Sequence, residues 1–317
     1  MKYVTVTLNP ALDMNVTLKD PLVLDGLNRS ESAAFSPGGK GINVSRALRA
    51  LGYDSDCICV LGGFTGAKIR AMLKDEGVNV RVIATTADTR LNISLLSSGQ
   101  QCEINNPLMR PRGSQHHGTD IRPTNETAEI LDKVHRMIRR IVETNREQTA
   151  VIFAGSIPGD MPQKTYATLV QEVHDMGALA ICDCDGEALR SVLPAFPDYI
   201  KPNLDELSAL TERRLTREQI PSAASEISIT TNGRTAVIAT AGAGGAYLAR
   251  GHESFYAPSS HVERVRTLKG AGDTFLAAYL LGRYEKDLTE VQSLKYASNA
   301  AARKIATADG DYPDLRG

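Results

Sequence analysis

The chain has 317 residues, 42% of them hydrophobic and 23% charged, with 36 Lys and Arg against 37 Asp and Glu for a formal net charge of -1. These ordinary values exclude a disordered or fibrous chain, and the near-balance of charge excludes a long-range field that gathers nucleic acid or an anionic membrane. Any anionic ligand must therefore be held by local geometry.

In chain order, "MKYVTVTLNP" alternates like a strand and lacks the basic and apolar regions of a secretory signal. No later apolar run approaches the length of a membrane span, so the expectation is a cytoplasmic protein with no membrane partner. "YVTVTL" and "DCICVLGG" read as strands around the helix "GINVSRALRALG", where Ile42, Leu48 and Leu51 form an apolar stripe and Gly52 suits a left-handed C-cap. A helix over about Glu126 to Thr144 leads into the strand "TAVIFAG". A helix near Gln163 to Met176 then leads into "ALAICDCD", and strands "DYIKPN" and "TAVIAT" precede helices opening at Gly272 and near Thr289. Strands alternating with helices predict one α/β domain over residues 1–317, a central and mostly parallel sheet with helices on both faces.

Two stretches break the rhythm. Residues about 13–35 and 89–108 read as strands, with a hairpin turn at Ser98-Gly99, and predict a small β-sheet lid. Such a lid can close over a substrate or pair with a second copy of itself. The five cysteines include Cys57 with Cys59 and Cys182 with Cys184. These are strand spacings that predict buried, reduced thiols, and not the gap of a zinc or redox site. His116-His117 reads as loop.

In an open parallel sheet, ligands collect beyond the carboxyl ends of the strands. There "GAGDTF" places Gly270, Ala271 and Gly272 before a helix. Successive backbone N–H groups can then turn toward one point, and the positive helix end completes an anion cradle. Asp273 would face the cradle and a substrate hydroxyl whose proton it can accept. Taken alone, the same four residues favour the plainer reading of a tight turn with a helix-favouring aspartate, and it is the rest of the chain that shifts the balance. "SPGGKGINVSRAL" puts Gly38, Gly39 and Gly41 before a helix, but the residue after Lys40 is glycine, so no Walker site is formed. Small residues there let sugar hydroxyls approach, with Lys40, Asn43 and Asp13 as polar contacts; close helix packing explains the spacing as well. In "KPNLDEL", Asn203 and Glu206 lie on one helical face, where they can hold waters around Mg²⁺ or serve as cap and solvated charge. In "TAGAGGA", Gly242, Gly244 and Gly245 can wrap nucleotide phosphates.

Together and in order, "NPALD", "GGKGINVSRAL", "TRLN", "GSIPG", "DCDGEAL", "KPNLDEL", "TAGAGGA" and "GAGDTF" resemble the PfkB/ribokinase family of carbohydrate kinases across nearly the whole chain. The resemblance implies a ribokinase-like fold, a β lid that commonly serves as the dimer contact, and magnesium-ATP as phosphate donor. It also implies Asp273 as catalytic base and Gly270 to Gly272 as anion hole. "GGKGINVSR" with its lysine, "TRLN" and "CEINNP" look most like the branch acting on phosphorylated hexoses, the 1-phosphofructokinases and tagatose-6-phosphate kinases. In that branch Arg90 would clamp the phosphate already on the sugar, with Lys40 and Arg29 assisting. Asn92, Asn43 and Asp13 would read hydroxyls, with Ser156 on the sugar side. Lys201, Asn203, Thr240, Gly242, Gly245 and Asn299 would take the nucleotide side, and Glu206 would hold Mg²⁺ through water. The chain departs from the family pattern at Thr267, where Asp or Asn is usual, and at Lys269, where a small or aliphatic residue is usual.

Overall fold

The computed structural model describes residues 1–98, 100–106, 125–145 and 148–316. Its first half holds β1 (Lys2–Thr7), β2 (Ala11–Leu18), β3 (Ser30–Gly38), α1 (Lys40–Ala50), β4 (Ser55–Leu61), α2 (Gly63–Asp75), β5 (Asn79–Ala84), β6 (Arg90–Ser97) and β7 (Gln100–Ile104). The second half holds α3 (Asn125–Thr144), β8 (Thr149–Ala154), α4 (Thr165–Asp175), β9 (Leu179–Asp183), α5 (Gly186–Val192), β10 (Tyr199–Ile200), α6 (Leu204–Thr211) and α7 (Ile220–Thr230). It closes with β11 (Ala236–Thr240), β12 (Ala246–Arg250), β13 (Glu253–Ala257), α8 (Ala271–Tyr284) and α9 (Glu290–Ile305).

The main sheet has nine strands in the order β13-β12-β11-β10-β9-β8-β1-β4-β5. From β11 to β5 every pairing is parallel, while β12 and β13 add an antiparallel edge. Strand β8 shows why parallel strands here read as continuous apolar runs. Val151 and Phe153 enter the core built with α3, α4 and α7, whereas Ala150, Ile152 and Ala154 enter the opposite core, built with α1, α8 and α9. Both faces are therefore covered, as expected. The sequence reading had not separated α2, β5, α7 or the β12–β13 edge. The short polar turn at Gly251 and the strand Glu253–Ala257, mostly exposed and interrupted in its apolar pattern, give little periodic signal at that edge.

A second sheet, β3-β2-β6-β7, stands apart as the predicted lid. Strands β2 and β6 run parallel, with Asp13 beside Asn92, and β6 turns antiparallel into β7 with Ser97 opposite Gln100. Ser98 takes φ +48, fitting the expected turn, while Gly99, residues 107–108 of the lid and His116-His117 lie outside the described residues. Cys57, Cys59, Cys182 and Cys184 are free and buried, as the strand spacing predicts. Among the described residues no helix is long and apolar enough to cross a membrane.

Candidate active site

Strand β1 stands third from the β5 edge of the main sheet, and the segments following it supply one wall of a cleft of about 370 Å³ between sheet and lid. Gly270, at the start of α8, holds φ +75, a conformation that L side chains rarely adopt. A Cβ there would also stand 2.2 Å from the Tyr312 hydroxyl, so the bend is closed to any larger residue from behind. The first turn of an α-helix leaves its N–H groups without helical acceptors; here the Ala271 N–H meets the Leu268 carbonyl at 3.3 Å, and Gly270 lines the cleft, so the helix's positive end lies at its edge.

Asp273 lies in that first turn, 7% exposed, and its Oδ2 accepts a hydrogen bond of 2.8 Å from Nδ2 of Asn43, which lines the cleft. Burial, and then the nearby Asp183 carboxylate, push Asp273 up to about 6. Asp183, fully buried at the end of β9, meets Nζ of Lys201 at 3.2 Å and Nζ of Lys40 at 3.4 Å. Burial alone would raise its pKa, but the two lysines outweigh it and hold the carboxyl below its ordinary value. Lys40 also meets Glu206 at 2.9 Å. Burial pulls Lys40 down, yet Asp183 and Glu206 leave the ammonium above its ordinary value. Lys40, Asp183, Lys201 and Glu206 thus form a charged chain beside Asp273 that links the start of α1 to the start of α6. A Cβ at Gly272 would stand 3.2 Å from Nζ of Lys201, which ties that chain to the bend.

On the lid side, Asp13 is held by Asn92, whose Nδ2 donates at 3.0 Å, and a Cβ at Gly38 would meet the Asp13 carboxylate at 2.6 Å. Burial raises the Asp13 pKa, against the pull of Lys269. Gly39 holds φ +123 with its carbonyl capping α1 through the Asn43 N–H at 2.9 Å. Arg90 donates to three backbone carbonyls, those of Asn9 at 3.2 Å, Pro10 at 3.4 Å and Asn106 at 3.4 Å, and makes no ion pair among the described residues. Burial depresses its pKa, with Asp13 and Asp185 acting the other way. Ser156 accepts from Asn9 at 3.0 Å and lines the same cleft. Arg29 does not join this group: its side chain is exposed at the start of β3, outside the cleft.

The nucleotide-side candidates form a separate cluster beyond β10 and β11. Asn203 and Thr240 are bridge partners, Gly242 (φ +56) and Gly245 (φ +88) shape the turn after β11, and a Cβ at Gly245 would press to 2.3 Å on the Ala257 carbonyl. Asn299 on α9 is exposed and accepts from Ser260 at 2.6 Å. Lys201 is buried, and none of these residues lines the cleft on the lid side. Asn203 and Glu206 close a capping box on α6, so Asn203 is the expected cap, whereas Glu206 is no solvated charge: it is largely buried and paired with Lys40. Glu206 Oε2 accepts from the Asn203 N–H and Oε1 from Lys40. Each carboxylate oxygen keeps a further acceptor position. The residues therefore fit a hydrated Mg²⁺ held through water, and not one bound directly by a cluster of carboxylates; among the described residues no group of three metal-ligating side chains occurs.

Sequence reasoning missed several cleft residues: Asn9, Asp185, Lys304, Asp309 and Tyr312. Asn9 and Asp185 sit inside the quoted "NPALD" and "DCDGEAL" and were within reach of that reading. Asp309 and Tyr312 come from the tail after α9, which has no periodicity to mark it.

The pfkB family carbohydrate kinase model matches residues 12–314. A 1-phosphofructokinase of Bacillus subtilis (strain 168) is 31% identical over 280 residues, 88% of this chain and 84% of that protein. A tagatose-6-phosphate kinase of Staphylococcus epidermidis (strain ATCC 35984) is 29% identical over 298 residues, 93% of this chain and 89% of that protein. Among solved structures, phosphofructokinase-2 from Escherichia coli in complex with potassium superimposes with a TM-score of 0.83 at 25% identity, covering 98% of this chain and 94% of that one. With its ribokinase-like fold and a family match across almost its whole length, the chain belongs to the pfkB family of carbohydrate kinases, phosphotransferases with an alcohol group as acceptor.

Proposed function

We propose that this kinase is an ATP-dependent 1-phosphofructokinase, converting fructose 1-phosphate to fructose 1,6-bisphosphate. Tagatose 6-phosphate and fructose 6-phosphate are the alternative acceptors within the same site. The observation that carries the reading is the placement of Asp273: buried behind the Gly270 bend, pushed up to about 6, and joined to the sugar-side cleft by Asn43. A base with a pKa near the working pH combines the deprotonated state with enough basicity to take a hydroxyl proton.

In this mechanism Asp273 accepts the proton of the attacking hydroxyl, and Asn43 fixes the carboxylate so that one oxygen stays turned to the acceptor. The amides of Gly270 and Gly272, with the Ala271 N–H released from the Leu268 carbonyl it meets at 3.3 Å, stabilise charge on the transferring phosphoryl group. Asp13 and Asn92 orient sugar hydroxyls, with Lys40, Gly38, Gly39 and Ser156 around them. Arg90 clamps the phosphate already on the sugar. Its hydrogen bonds among the described residues go to neutral carbonyls, with Asp13 and Asp185 near but not ion-paired to it, so a phosphate would be its direct anionic partner. The turn at Gly242 and Gly245, with Thr240, Lys201, Asn203 and Asn299, would receive ATP. Glu206 with Asn203 would hold the waters of Mg²⁺, which when bound neutralises charge on the nucleotide phosphates.

The lid also supports a homodimer. Leu24 and Leu27 are 90% and 80% exposed between β2 and β3, and Val23, Phe35, Leu96 and Ile104 add further open apolar surface on the same sheet. Arg29, outside its own cleft, would serve a sugar phosphate only across such a contact. A cytoplasmic location fits phosphorylated substrates and the free cysteines. The test of the reading is an assay of ATP consumption against fructose 1-phosphate, tagatose 6-phosphate and fructose 6-phosphate. A kcat/KM for fructose 1-phosphate well above the other two is expected. Tight binding of a sugar phosphate with no turnover would favour a silent binding protein.

A further inference from the structure

Behind the Gly270 bend lies a lysine that the mechanism above does not use. Lys304, on the last turn of α9, is 1% exposed, and its side chain runs beneath the bend so closely that a Cβ at Gly270 would stand 3.2 Å from its Cε. Its ammonium makes no ion pair among the described residues. It has a long contact of 3.5 Å to the Thr307 hydroxyl and lies 4.9 Å from the centre of the Tyr312 ring. Asp309, the carboxylate acting most strongly on it, is otherwise engaged: Oδ1 accepts from Thr267 at 3.1 Å, and Oδ2 lies 3.9 Å from Nζ of Lys269. Burial accordingly pulls the Lys304 pKa down, and Asp309 does not restore it.

A buried cation without a partnered anion costs stability, so its presence calls for a compensating charge. The space on its open side is the cleft, which Lys304 lines together with Gly270. We propose that Lys304 is a positioning residue that places a fixed positive charge directly behind the Gly270–Gly272 bend, so that the backbone amides and the ammonium act together on a phosphoryl group. The inference rests on the kinase reading above. It adds a residue that neither the motif nor the first turn of α8 contains. The geometry also accounts for the glycine at 270 from a second side, since Tyr312 and Lys304 pack against the place a side chain would take.

The test compares wild type, Lys304→Met and Lys304→Ala, full length, with ATP and fructose 1-phosphate. Methionine keeps most of the volume and removes the charge. The expected result is a kcat about tenfold or more lower in Lys304→Met, a KM for the sugar within about twofold, and a Tm unchanged or higher by about 2 °C, because an unpaired buried charge has been removed. In Lys304→Ala, methylammonium should restore turnover by filling the vacated space with charge, and neutral propanol should not. Wild-type kcat in Lys304→Met would overturn the inference. So would a kcat loss accompanied by a Tm loss of several degrees and no response to the amine, which is the pattern of a packing residue. Silence of the wild type toward all three ketohexose phosphates would instead remove the kinase reading, and this inference with it.

Discussion

Asp273 and Asn43 are 230 residues apart in the chain and 2.8 Å apart in the fold. One opens α8 behind the Gly270 bend and the other lies in the first turn of α1 behind the Gly38-Gly39 bend. Both helices pack on one face of the main sheet, and that common packing brings two glycine-led helix starts to a single point.

Replacing Asp273 with asparagine should lower kcat by roughly 10²–10⁴-fold while sugar-phosphate affinity stays close to wild type. The same change should raise Tm near pH 7.5. The folded carboxyl binds its proton more tightly than in the unfolded chain, so its contribution favours the fold at low pH and is lost as pH rises through about 6. Removing the charge removes that neutral-pH penalty. Parallel kinetics and thermal melts of the variant check both signs.

The pH dependence of kcat/KM, which reports the free enzyme, follows from the same group. It should rise through an apparent pKa of about 6 and flatten above it. A rate profile already flat from pH 5 upward would place the titrating base elsewhere.

Arg90→Ala should raise the KM for phosphorylated ketohexoses by about 10–100-fold, the loss expected for a charge-assisted bidentate contact, with a smaller change in kcat. Fructose itself, a poor acceptor, should be affected little. Equal losses for both sugars would make Arg90 a support for the Asn9, Pro10 and Asn106 carbonyls it already binds.

Gly270→Ala should cost roughly 1–3 kcal/mol of stability and most activity, since it combines a positive φ with a contact of 2.2 Å to the Tyr312 hydroxyl. Adding Tyr312→Phe should recover part of the stability, because only the steric component is relieved. Chemical denaturation of the single and double variants separates the two contributions.

The architecture was legible where local chemistry decided it. The buried runs of β1, β4 and β8, the left-handed Gly52 after α1 and the capping Thr289 before α9 all stand where their residues placed them. The lid hairpin was readable from its strand-like runs and the Ser98-Gly99 turn signal between them. Asp183 was harder to interpret, because its importance lies in three charged neighbours, Lys40, Lys201 and Asp273, drawn from segments far apart in the chain. Lys269, flagged only as a departure from the family pattern, turns out to reach Asn15 at 3.4 Å and Glu103 at 3.6 Å on the lid and Asp309 at 3.9 Å in the tail. Nothing in the sequence of the tail announces that Asp309 and Tyr312 pack behind the bend, because the segment is irregular and its register is set wholly by tertiary contacts.

The most direct measurement is product formation from radiolabelled ATP and fructose 1-phosphate by the wild type and by Asp273→Asn at equal concentration. The account predicts labelled fructose 1,6-bisphosphate from the wild type and almost none from the folded variant. Comparable product from both would show that the carboxylate behind the glycine bend is not the base.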